Sequence, residues 1–208
     1  MPKSRIVRKC YNMLLLYDNN GKKNWVSKVK HLLTVYGFGF VWLEQCVRNT
    51  DMFMKEFVNR LKVCYEQDWH FSLINGSKTF GYSLYKKVYS VEPYIKILRI
   101  NKYRRALAQF RCSSHKLRVE TGRYIGERRE DRLCNICKKA FIEDEYHFIC
   151  VCEMYIPLRC KYIPTYYYSY PPRDKFNLLM ESQNEDTIIK LSLFVYHAFV
   201  LRQSILLY

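Results

Sequence analysis

Apolar residues along this chain recur mainly three and four positions apart, the spacing of helices that cover a core. Residues 1 to 36 read as two helices broken at Asp18-Asn19-Asn20-Gly21-Lys22-Lys23. The second, Trp25 to Tyr36, places Trp25, Val29, Leu32, Leu33 and Tyr36 on one stripe. After a bend at Tyr36 to Phe40, helical spacing resumes through Val41, Trp42 and Cys46, and again through Phe53, Phe57, Leu61 and Cys64, with Asn49-Thr50-Asp51 as the cap between. Residues 68 to 98 predict a short helix around Trp69, the turn Asn75-Gly76-Ser77-Lys78 and two further pieces separated by Glu92-Pro93. A helix from Lys102 to Arg111 turns Tyr103, Leu107 and Phe110 inward and Arg104, Arg105 and Arg111 outward. Met154 to Tyr162 is a short helix ended by Pro164, and Thr165 to Pro172 is a Tyr/Pro-rich connector. The last helix, about Asp186 to Leu206, is apolar almost all round from Leu191 to Leu201. Those eleven residues are too few for a bilayer that needs about twenty, so a buried core or partner-binding helix is expected.

No alternating pattern is long enough for a sheet. The expected class is therefore mainly α: a helical array with a small Cys-Cys-His-Cys zinc module and a C-terminal apolar helix. The expected divisions are a helical region over 1–98, a basic segment with the zinc module over 99–163, and the connector with the last helix over 164–208.

Candidate chemistry concentrates in Cys134-Asn-Ile-Cys137, followed by His147, Cys150 and Cys152. A Cys-x-x-Cys turn aims two sulfurs at one metal, and a later imidazole and thiolate complete a tetrahedral structural Zn²⁺ site. If residues 144 to 151 are helical, His147 and Cys150 share a face, whereas Cys152 turns inward only if the helix ends before it. Both thiols stay open as the fourth ligand. The competing reading makes these cysteines small turn and core residues.

Charge changes the picture next. The chain of 208 residues has 35 basic and 19 acidic side chains, a formal net charge of +16. Thirteen of the basic residues and only four of the acidic ones lie between Arg99 and Lys139, abutting the candidate metal site. Such a segment suits a polyanion, nucleic acid rather than a membrane surface. The length excludes a polymerase with all its subdomains. Five of the nine cysteines fall between Cys134 and Cys160, which fits a reduced compartment with a metal better than a disulfide framework. The first residues form no secretory signal, so the chain is expected to be intracellular, nuclear or cytoplasmic, and not secreted.

Asn101-Lys-Tyr-Arg104-Arg105-Ala-Leu107-Ala-Gln-Phe110-Arg111, Ser114-His115-Lys-Leu117, Glu120-Thr-Gly122-Arg123-Tyr124, Cys134-x-x-Cys137 and Glu143-Asp-Glu-Tyr-His147-Phe148 form a recognisable series. Together they resemble the C-terminal zinc-binding region that follows the polymerase in non-LTR (LINE-type) retrotransposon reverse transcriptases. With Tyr36-Gly-Phe-Gly39-x-Val-Trp42 and Glu92-Pro93-Tyr94, the likeness covers roughly residues 35 to 163. It implies Cys134, Cys137, His147 and Cys152 as ligands of a nucleic-acid-associated zinc element. It matches Lys102, Arg104, Arg105, Arg111, His115 and Arg123 to the family's basic stretch, to which Arg118 is added here as a candidate nucleic-acid contact.

The Tyr-x-Asp-Asp hairpin that holds a polymerase's metal ions is missing, so polymerisation is not expected. Pro172-Arg173-Asp174 with Asp186 only loosely echoes the nuclease that follows a similar motif in some related elements. The resulting expectation is a non-catalytic, zinc-stabilised module that binds RNA or DNA. The alternatives are a protein-interaction module acting through the C-terminal helix, or a transposon remnant without selected activity.

Overall fold

The computed structural model describes residues 6–76, 78–170 and 172–207, so Ser77 of the Asn75 to Lys78 turn and Pro171 of the connector lie outside the described residues. The architecture is helical, as the spacing predicts, and the described residues form no strand beyond an isolated antiparallel bridge between Leu133 and Ile142. The chain divides into two compact units, one ending at Trp69 and the other running from His70.

The first unit holds α1 (Ile6–Asn19), α2 (Trp25–Val35), α3 (Gly39–Glu44) and the greater part of α4 (Thr50–Asn75). Asn24 starts α2 with a capping box: its side chain accepts from the Val26 amide at 2.8 Å while Ser27 Oγ accepts from the Asn24 amide at 2.9 Å. The same asparagine donates to the Leu14 carbonyl at 2.9 Å and so ties α1 to the start of α2. Replacing Asn24 by alanine is expected to cost about 1 kcal/mol, read as faster amide exchange over α2. The expected inward stripe of α2 is shifted. Val26 and Leu33 are the buried residues, whereas Trp25 is 50% exposed and Val29 and Leu32 are also open. The capped helix packs on its neighbours along a narrower face than apolar spacing implies. Gly37 takes a left-handed φ of 85°, which a side chain disfavours, and sends Phe38 onto the rings of Phe53 and Phe57 at 5.5 and 5.4 Å. Asn49 caps α4 through the Met52 amide at 3.0 Å. The separate helix expected around Trp69 is part of α4, which runs unbroken through Asn75 because no glycine or proline interrupts it.

The second unit carries α5 (Phe80–Tyr85), α6 (Pro93–Ile97), α7 (Asn101–Arg111), α8 (Arg118–Tyr124), α9 (Ile156–Tyr162), α10 (Thr165–Tyr168), α11 (Arg173–Glu181) and α12 (Glu185–Leu206). The expected boundary at residue 98 moves to residue 70, because Tyr85, Tyr94 and Leu98 are buried in the same core as the metal-site residues. Helix α12 is the axis. It packs against α6, α7 and α9 and buries Ile188, Leu191, Phe194, Val195 and Ala198. Although its length and composition would allow a bilayer crossing, it serves here as the core helix of its unit. Phe148 is fully buried beside it, 4.8 Å from the Phe199 ring and 4.7 Å from Tyr155.

Candidate metal centre and the basic segment

The two halves of the site come from a short loop and an unusual turn. Around the isolated bridge, the Cys134 amide donates to the Phe141 carbonyl and the Glu143 amide to the Arg132 carbonyl, both at 2.9 Å. This pairing closes the loop that holds Cys134 and Cys137, and Lys138 turns it through a left-handed φ of 53°.

The second half is a π-helical turn over His147–Val151 rather than an α-helix. In an α-helix His147 and Cys152 would point almost 140° apart. A π turn has a wider i to i+5 repeat, which brings residue i+5 back towards the face of residue i. The Cys152 amide closes that turn on the His147 carbonyl at 2.7 Å. Two side chains hold it at its ends. Asp144 accepts from the His147 amide at 2.9 Å, and the buried Arg159 guanidinium donates to the carbonyls of Ile149 and Cys152 at 2.5 and 2.7 Å.

As a result, the Sγ atoms of Cys134, Cys137 and Cys152 and a ring nitrogen of His147 all lie within 4.8 Å of one another. Cys137 Sγ lies 3.5 Å from His147 Nε2. Cys134, His147 and Cys152 are buried and Cys137 is half-buried. The open choice between thiols resolves in favour of Cys152: Cys150 faces the core, where burial pushes its thiol up to about 12 and keeps it neutral. Within the cluster, hydrogen bonding from the Cys152 thiol holds Cys134 well below its ordinary value against the opposing effect of burial, and the same contact pushes Cys152 up. Phe141 stacks on the imidazole at 5.6 Å between centroids, and His147 Nδ1 is buried with no hydrogen-bond partner among the described residues.

A contact that sequence reasoning missed anchors the centre to the core. Glu143 is 1% exposed and receives Nε and Nη2 of Arg202 at 2.9 and 2.8 Å, a two-pronged pair between the metal loop and α12. Its carboxylate also accepts the Arg118 amide at 2.8 Å and lies 3.9 Å from Cys134 Sγ. The available signal was the acidic run Glu143-Asp144-Glu145 after Phe141-Ile142 and a lone arginine ending the apolar run of the last helix.

The basic segment separates into two groups. Arg111 turns inward rather than outward: its guanidinium meets Glu92 at 3.1 Å, donates to the Met180 carbonyl and lies 4.7 Å over the Tyr85 ring. His115 is likewise interior, bonded to Glu145 at 3.0 Å. Arg118 is paired with Glu127, and Arg123 with Glu120. Arg132 is spent on the carbonyls of Val119 and Glu127. Lys102, Arg104 and Arg105 have no carboxylate partner among the described residues, and neither do Arg99 and Lys116. Of the seven residues expected to contact nucleic acid, the structure therefore leaves three available, all on the first turns of α7.

Comparison of the chain with known protein families, curated proteins and solved structures returns no match.

Proposed function

We propose that this chain is a non-catalytic nucleic-acid-binding module stabilised by one structural zinc ion. The observation that carries the reading is the convergence of three sulfurs and one imidazole nitrogen within 4.8 Å. Donors on a tetrahedral Zn²⁺, with bonds of about 2.0 to 2.3 Å, stand roughly 3.5 to 3.8 Å apart, so the set closes on an ion with little movement. Soft thiolates with one imidazole favour zinc over magnesium, calcium or manganese. Four protein ligands leave no open position for an activated water, which makes the ion a fastener rather than a reagent. This assignment also accords with the resemblance to the post-polymerase zinc region of retrotransposon reverse transcriptases.

Nucleic acid as the partner is supported by the exposed cations Arg99, Lys102, Arg105 and Lys116, with the half-buried Arg104, in the same compact unit as the metal centre. Phosphate contacts of that kind release counterions, so affinity falls steeply with salt. In a salt titration of polynucleotide binding, alanine at Lys102 or Arg105 is expected to lower the slope by about one each. Alanine at Arg118 or Arg123, whose charges are neutralised internally, is expected to leave it unchanged. A chain with no polynucleotide affinity at low salt defeats the reading.

A further inference from the structure

The second unit carries a groove of about 780 Å³ between α7 and the C-terminal half of α12. We infer that this groove holds a stretch of single-stranded nucleic acid, with the phosphates on its cations and unpaired bases against its apolar lining. The inference rests on the nucleic-acid reading above and specifies where, and in which form, the polymer is bound.

Charge is the first argument. Lys102, Arg105 and Lys116 line the groove, and among the described residues no carboxylate side chain does. Its remaining cation, Arg202, is neutralised by Glu143 beneath. The occupant is therefore anionic. The apolar lining supplies the second argument: Ala106, Tyr196, Phe199, Val200 and Leu206 contribute to it, and Val200 and Leu206 are about half exposed, at 52% and 50%. A duplex keeps its bases stacked inside and presents phosphates, so an apolar lining among the cations gains nothing from it. Unpaired bases expose apolar faces that such a lining covers.

The amide lining separates a nucleic acid from an acidic amphipathic helix, the other anionic occupant of a helical groove. Asn101, Gln109 and Gln203 all line it with exposed side chains that make no hydrogen bond among the described residues. Base edges offer donors and acceptors to such amides. A peptide helix satisfies its own backbone, and its apolar face would leave the amides buried and unpaired, which is costly.

The test is titration of the full chain, zinc-loaded, with a mixed-sequence oligonucleotide of about 12 nucleotides, single-stranded and as its duplex, in RNA and DNA forms. Single strands are expected to bind at least about tenfold more tightly than the duplex. Val200→Glu, with an unchanged circular dichroism spectrum, is expected to weaken single-strand binding about tenfold, while Val200→Leu preserves it. Equal binding of both forms, unaffected by Val200→Glu, overturns the groove assignment but leaves the broader reading standing. Absence of binding by either form at low salt overturns both. A Glu-rich amphipathic helical peptide that binds the wild type and is lost in Val200→Glu, while single strands are not, assigns the groove to a protein partner and also overturns the inference.

Discussion

Purified chain is expected to contain about one zinc ion per molecule and to lose helical signal when a strong chelator removes it. Metal bound to a four-ligand site of this kind supplies on the order of 10 kcal/mol that is also folding free energy. The effect reaches beyond the loop, because the π turn that carries His147 and Cys152 also carries Phe148 and Ile149, both fully buried in the core. Cys137→Ser and Cys152→Ala are therefore expected to abolish stoichiometric zinc and reproduce the chelated spectrum. Cys150→Ala, which shortens a core thiol outside the cluster, is expected to keep the ion. The ligands bind only when deprotonated, so zinc retention should weaken as pH falls. Metal analysis of the four proteins checks the set, and loss of zinc from Cys150→Ala would show that the ligand assignment is wrong.

Arg202→Ala is expected to destabilise the second unit by about 3 to 5 kcal/mol, measured as a lower urea midpoint. Its partner Glu143 would be left buried without a counter-charge. Replacing both by apolar residues, as in Glu143→Leu with Arg202→Met, should recover most of that loss. It should not recover all, because the Arg118 amide also relies on the Glu143 carboxylate and an orphaned buried N–H costs about 1 to 3 kcal/mol. A loss below about 1 kcal/mol for Arg202→Ala alone would show that the pair does not join the metal loop to α12.

The helical class, most element positions and three of the clustered residues, Cys134, Cys137 and His147, are legible in local spacing, because apolar periodicity and Cys-x-x-Cys turns are local signals; Cys152 is favoured by the resemblance alone. What stayed hidden is non-local. The fate of the arginines depends on carboxylates far along the chain: Arg111 meets Glu92 and Arg202 meets Glu143. A charge count cannot distinguish a guanidinium consumed inside from one left at the surface. The inward face of α2 departs from its spacing for a related reason: Leu33 is buried as the stripe predicts, but neighbouring helices bury Val26 in place of Trp25, Val29 and Leu32. Choosing between Cys150 and Cys152 required the hydrogen-bond repeat of a turn, which residue identities do not encode.

That turn has a further consequence for how the chain tolerates length changes. Relative to an ordinary helix it carries one surplus residue. Removing that residue would rotate everything after it by about 100° and draw it in by about 1.5 Å. Arg159 would then swing away from the carbonyls it now holds, and Tyr155 would leave its place against Phe148. The segment from His147 to Tyr162 therefore behaves as a gauge of fixed count, in which single-residue deletions should be far more damaging than most substitutions.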